Sequence, residues 1–199
     1  MCPGPEGVSA GFCLLAVWFA AVNGWRPLAL LLGAAALHEA GHCLALRLCG
    51  VPIRGIRLGV LGAVLEADCS RLSYGRELAC VLAGPAANLL CALILSAVGT
   101  PPAAAGAHLV LGAFNLLPIR PLDGGRALYL LVSWAAGPAA GEWAARWIGA
   151  AAGASWCAFL LFLMKESGGS LWLLPAALGA AASALRECAG GRLDRLAAR

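Results

Sequence analysis

Long apolar runs separated by short polar clusters set the pattern of this chain. No Asp, Glu, Lys or Arg occurs from Gly7 to Trp25, from Leu78 to Ile119, from Trp147 to Met164 or from Ser167 to Leu185. From Pro27 to Leu46 the run is broken only by His38, Glu39 and His42. A helix that spans a bilayer needs roughly 20 apolar residues, and the run from Leu78 to Ile119 suffices for two, with Pro101-Pro102 as the break. The pattern predicts six transmembrane helices, at about 8–24, 27–48, 76–99, 105–132, 145–164 and 169–186. "IRGIRLGVLGAVLEAD" at 53–68 is too short to span and is rich in Gly, Val and Leu. It predicts a β-hairpin or re-entrant strand pair at the membrane face, after the second span. The fold class expected is an all-α polytopic membrane protein with that one short β element. A single membrane-embedded domain over 1–199 is expected, with no PDZ or CBS domain.

Composition supports this pattern and excludes a soluble helical protein. Hydrophobic residues make up 61% of the 199 residues and charged residues 12%. The charged share is about half that of a typical soluble domain, too little to cover a water-exposed surface. The segment from Met1 to Gly11 has Glu6 and no basic residue, so a cleaved signal peptide is not expected.

The net charge of +4 is informative through its placement, and it does not indicate nucleic acid. With the N-terminus in the cytosol, Arg47, Arg54, Arg57, Arg71, Arg76, Arg126 and Arg146 fall on the cytosolic side, followed by Arg186, Arg192, Arg195 and Arg199. The opposite side holds Arg26 and Lys165, and Arg120 is left inside the membrane. This asymmetry follows the positive-inside rule and places both termini in the cytosol of a multi-pass protein. Nine cysteines, with no CxxC pair, read as small hydrophobic residues and not as a disulfide framework.

The polar residues of the second span carry the chemistry. "HEAGH" at 38–42 places His38 and His42 four residues apart, on one helix face, where both rings reach a single ion. Glu39 lies beside that ion and is suited to take a proton from water. Charged groups at membrane depth are costly and mark functional sites. Cys43 is directed away from the His38–His42 face.

Two histidines need a further ligand. Asp123, near the cytosolic end of the fourth span, lies at the depth of His42, which is five residues from the cytosolic Arg47. His108 lies near the opposite end of that span and is expected to be an interfacial residue. Asp123 sits in "NLLPIRPLDGGRAL", where Pro118 and Pro121 remove helix donors and Gly124-Gly125 loosen the backbone. A broken helix at membrane depth requires protein or a water-filled cavity around it, as hydrolysis does. Asn115 on the same element can hold a substrate carbonyl or an oxyanion.

"HEAGH" together with "NLLPIRPLDGG" resembles the site-2 family of intramembrane metalloproteases, matching its HExxH and NxxPxxxLDG patterns in order. "AGPAAN" at 83–88 resembles that family's GPxxN patch, and the likeness extends over roughly residues 10 to 187. The resemblance implies one zinc ion per chain on His38, His42 and Asp123, with Glu39 as catalytic acid/base. It implies substrate-positioning roles for Asn115, Pro118 and the strand residues Gly62, Ala63 and Val64. The substrate would be a membrane-tethered protein in a bacterial cell membrane, cut toward the cytosolic side. "LLPIRPLDGG" and the absence of a PDZ insertion are similar to the sporulation branch, whose members release a sigma-factor precursor under membrane inhibitor partners. A reading from a different class is a membrane metal-ion transporter or sensor using the same His/His/Asp site. It needs no general base, and it needs a polar path to both faces, for which "PPAAAGAHLVLGAF" offers only His108.

Overall fold

The computed structural model describes residues 9–59, 62–167 and 177–187. Eight elements follow one another: α1 (Ala10–Asn23), α2 (Trp25–Leu48), β1 (Ile53–Gly59), β2 (Gly62–Ala67), α3 (Tyr74–Ala97), α4 (Pro102–Asn115), α5 (Asp123–Ala136) and α6 (Pro138–Glu166). Residues 177–187 are also helical. The chain divides into two compact units, Met1–Ala113 and Phe114–Arg199.

In the first unit, the Ser9 hydroxyl caps α1 by accepting from the Phe12 amide at 3.2 Å, which satisfies one of the orphan donors of a helix start. Gly24, at φ 90°, reverses the chain from α1 into α2 in a backbone region open to glycine. Helix α2 stops at Cys49-Gly50, where Gly50 has φ 73° and Pro52 prevents continuation. The antiparallel hairpin then forms with Ile56 opposite Leu65, Arg57 opposite Val64, Leu58 opposite Ala63 and Gly59 opposite Gly62. An irregularity between Ile53 and Gly55 shifts the register at its base. Under the hairpin, Leu46, Val51 and Cys80 form a buried cluster with Ile53, Leu65, Cys69 and Leu72 against it. This apolar contact ties the hairpin to the ends of α2 and α3.

Helices α2 and α3 approach closely because small residues line their contact. A β-carbon on Gly41 would stand 2.6 Å from the Ala83 carbonyl oxygen. Pro85 is fully buried inside α3, and a β-carbon on Gly112 of α4 would come within 3.2 Å of both Pro85 O and Asn88 Cβ.

In the second unit, the chain leaves α4 through an irregular turn at 116–122 before α5 begins at Asp123. Local bonds hold that turn, among them Leu117 N–H to Phe114 O at 3.0 Å and Leu122 N–H to Ile119 O at 2.8 Å. The Arg120–Pro121 peptide bond is cis. Gly124 and Gly125 are buried against it: a β-carbon on Gly124 would collide with the Leu116 and Leu117 carbonyls, and one on Gly125 would lie 2.7 Å from the Ile119 carbonyl carbon. The paired glycines therefore allow the turn to fold onto the start of α5. The guanidinium of Arg120 meets Glu142 of α6 at 2.9 Å and Glu187 of the 177–187 helix at 3.0 Å. Its carbonyl accepts from the Ser183 hydroxyl. The arginine that the sequence left at membrane depth thus has two carboxylate partners.

The exposed surface is apolar. Leu14, Leu44, Leu93 and Val110 are each at least 60% exposed, which suits contact with hydrocarbon and not with water. Three helices among the described residues, α2, α3 and α6, are long and apolar enough to cross a membrane. The second and third expected spans coincide with α2 and α3, and the fifth begins earlier than expected, at Pro138. The first corresponds to the shorter apolar helix α1, of 14 residues. The fourth is divided: α4 and α5 have 14 residues each, separated by the turn at the prolines. The sixth lies partly outside the described residues, at 168–176.

Candidate metal centre

Helical spacing on α2 brings His38 and His42 together on the face turned to α3, and both rings are buried, 5% and 9% exposed. The rings meet edge to face with centroids 4.7 Å apart. Their Nε2 atoms are separated by 3.1 Å. Two nitrogens bound tetrahedrally to zinc at about 2.0–2.1 Å stand about 3.3 Å from each other, so the pair fits one ion with little adjustment.

Helix α3 orients His42. Its Nδ1 donates to the Cys80 carbonyl at 2.9 Å, and a carbonyl can only accept. The proton is therefore on Nδ1 and the lone pair of Nε2 is available for a metal, which is the usual arrangement around a ligating histidine. Gly84 leaves the space that the ring occupies, since a β-carbon there would overlap the imidazole. The "AGPAAN" segment is thus the wall against which His42 packs.

His38 is oriented by Asn88, one helical turn further along α3. Asn88 is 0% exposed. Its Nδ2 lies 3.3 Å from His38 Nδ1, and its Oδ1 lies 3.1 Å from Nδ1 of His108 on α4. A continuous polar chain therefore runs from His108 through Asn88, His38 and His42 to the Cys80 carbonyl. His108, set aside in the sequence as an interfacial residue, makes a polar contact inside this unit. The ring is partly buried and turned to Asn88 because α3 and α4 pack closely at Gly112, one turn from His108 on the same face. In the sequence Asn88 was marked only as the end of the "AGPAAN" patch, and His108 was set aside as a ligand. The available signal was that two lone polar side chains in apolar helices tend to pair.

Glu39 follows His38 on α2 and is partly buried. Cys43 is partly buried beside His42, and the described cysteines are free thiols. Gly62, Ala63 and Val64 begin β2, one strand of a two-stranded sheet, so among the described residues β2 has one backbone edge paired with β1 and one open. In the second unit, Asn115 ends α4, Pro118 lies in the turn, and Asp123 occupies the first position of α5.

A family model described as "Peptidase family M50" matches residues 27–104, which include most of α2, the hairpin and α3. Rip3 of Mycobacterium tuberculosis is 31% identical over 140 residues, covering 63% of this chain and 34% of that protein. The zinc metalloprotease MJ0392 of Methanocaldococcus jannaschii is 33% identical over 108 residues, covering 49% of this chain and 31% of its own length. The chain thus spans about a third of the length of these relatives. The solved structure titled "Site-2 Protease from Methanocaldococcus jannaschii" superposes with a TM-score of 0.64 at 25% identity, over 90% of this chain and 88% of that one.

Proposed function

We propose that the chain is a member of peptidase family M50, the site-2 proteases, and that it hydrolyses peptide bonds of membrane-tethered proteins within the bilayer. The observation that carries this reading is the buried His38–His42 pair with converging Nε2 atoms and Nδ1 of His42 committed to Cys80. Asp123 is the third ligand of the one zinc ion, and Glu39 is the acid/base. Zinc supplies Lewis acidity and lowers the pKa of water at such a site toward 7.

The chain's own residues do the rest. His38 and His42 give lone pairs from a rigid helix face. Glu39 accepts a proton from the attacking water and returns it to the leaving amine. Asn115 donates to the scissile carbonyl as negative charge develops on it. The substrate enters as an extended strand and pairs its backbone with the open edge of β2 at Gly62, Ala63 and Val64, and Pro118 helps to position it. Strand addition supplies main-chain hydrogen bonds with little sequence demand and unwinds the substrate helix, whose own bonding shields the peptide. The apolar runs support six spans, and the arginine distribution supports an orientation with both termini and the site toward the cytosol. The "LLPIRPLDGG" wording supports a membrane-tethered sigma-factor precursor as substrate and membrane-bound inhibitors as regulators.

The test is cleavage of co-expressed membrane-tethered candidates by wild type and Glu39→Gln, with zinc measured on both purified proteins. The variant is expected to retain zinc and to lose cleavage by a factor of about 10²–10⁴. A variant that cleaves as well as wild type removes Glu39 as the general base, whereas zinc in both proteins with cleavage by neither favours the transporter or sensor.

A further inference from the structure

The chain from His108 to Cys80 has a direction that metal binding dictates, and His108 stands at its far end. His42 is settled, because the Cys80 carbonyl accepts from its Nδ1. His38 faces a partner of either polarity: an amide presents N–H from one end and C=O from the other, and the two ends can exchange by rotation. In the structure Nδ2 of Asn88 faces Nδ1 of His38 at 3.3 Å and its Oδ1 faces Nδ1 of His108 at 3.1 Å. If His38 offers the lone pair of Nε2 to an ion, its proton is on Nδ1, and the amide must rotate so that its oxygen meets that N–H. The NH₂ end then faces Nδ1 of His108, 3.1 Å from the amide, and that nitrogen must accept. Asn88 is fully buried, so neither end can exchange this partner for bulk water. The amide cannot serve both histidines in the wrong orientation without leaving a buried donor facing a donor, which costs more than a simple lost bond.

We propose that His108 is a positioning residue of the metal centre. As a neutral imidazole protonated on Nε2, it accepts from Asn88, fixes the amide with oxygen toward His38, and so selects the His38 tautomer that can bind the ion. The inference rests on the assignment of His38 and His42 as ligands. It adds a residue on α4 that does not touch the metal.

The experiment is zinc or cobalt affinity of the 199-residue chain in detergent, read by chelator competition. His108→Leu is expected to weaken binding about tenfold, the lower part of the range for partners of metal-ligating histidines. His108→Asn restores most of the loss, because its side-chain oxygen falls where Nδ1 was and accepts in the same way. In an Asn88→Ala background, His108→Leu changes nothing further. In zinc-loaded protein with ¹⁵N-labelled histidine, His108 is expected to carry its proton on Nε2 and His38 on Nδ1. Unchanged affinity in His108→Leu, an undiminished loss in the Asn88→Ala background, or an Nδ1-protonated His108 overturns the proposal. His38→Ala serves as control: loss of metal in that variant with no effect of His108→Leu refutes the positioning role alone. Wild-type affinity in His38→Ala refutes the ligand assignment beneath it. Because His108→Asn keeps a polar partner for Asn88, it remains informative even if His108→Leu fails to fold.

Discussion

The backbone of Gly84 on α3 lies directly against the imidazole of His42 on α2, with no room for a β-carbon between them. The imidazole of His42 is thus held by an absence of side chain on one side and by the Cys80 carbonyl, 2.9 Å from Nδ1, on the other.

Gly84→Ala is expected to push the ring away from Cys80. The cost of such overpacking is about 1–3 kcal/mol in stability. Zinc affinity should fall with it, and Gly33→Ala, where a β-carbon meets open space, should leave both unchanged. Thermal unfolding and zinc content of the two purified variants measure the difference.

Removing the metal with a chelator should abolish cleavage, and adding zinc should restore it. It should also lower the unfolding temperature. Binding at 100 times the dissociation constant stabilises a folded state by about 2.7 kcal/mol, and that increment disappears on chelation. Asp123→Asn is expected to reproduce the effect of the chelator on both readouts. An aspartate variant with full zinc content removes it from the ligand set.

Neighbouring residues of a strand direct their amides to opposite edges. Ala63→Pro and Val64→Pro should therefore differ: one breaks the β1–β2 ladder, while the other removes a donor from the open edge. Both should keep zinc, and the variant that leaves the hairpin intact should still lose cleavage. Full cleavage by both would exclude strand addition at β2.

Gly125→Val should unseat the turn at 116–122 from α5, since even a β-carbon there stands 2.7 Å from the Ile119 carbonyl carbon. The expected result is a destabilisation of several kcal/mol, on the scale of strained backbone and buried overpacking. Zinc content should fall with it, because Asp123 begins the helix that the turn supports.

Much of this site was legible in the sequence because its determinants are local. His38 and His42 share a face through helical spacing alone. The prolines and paired glycines of "NLLPIRPLDGG" required a helix break, and the break occurs at 116–122. The hairpin was readable from a short β-rich segment bounded by breakers, and β1 and β2 form there. The arginines of the loops carried no comparable information about Arg120, whose carboxylate partners come from residues 142 and 187.

What the sequence determined by itself is what one helix turn or one chain reversal can specify: the paired histidines, the adjacent glutamate, the broken helix and the hairpin. The tertiary structure decided how the histidines are held. Asn88 meets His38 across 50 residues of chain and His108 across 20, and Gly84 became a wall only when α3 was laid against His42. Contacts of that kind depend on which helix faces pack together. Buried polar groups must find partners wherever the packing places them, and no periodicity in the chain records which ones they find.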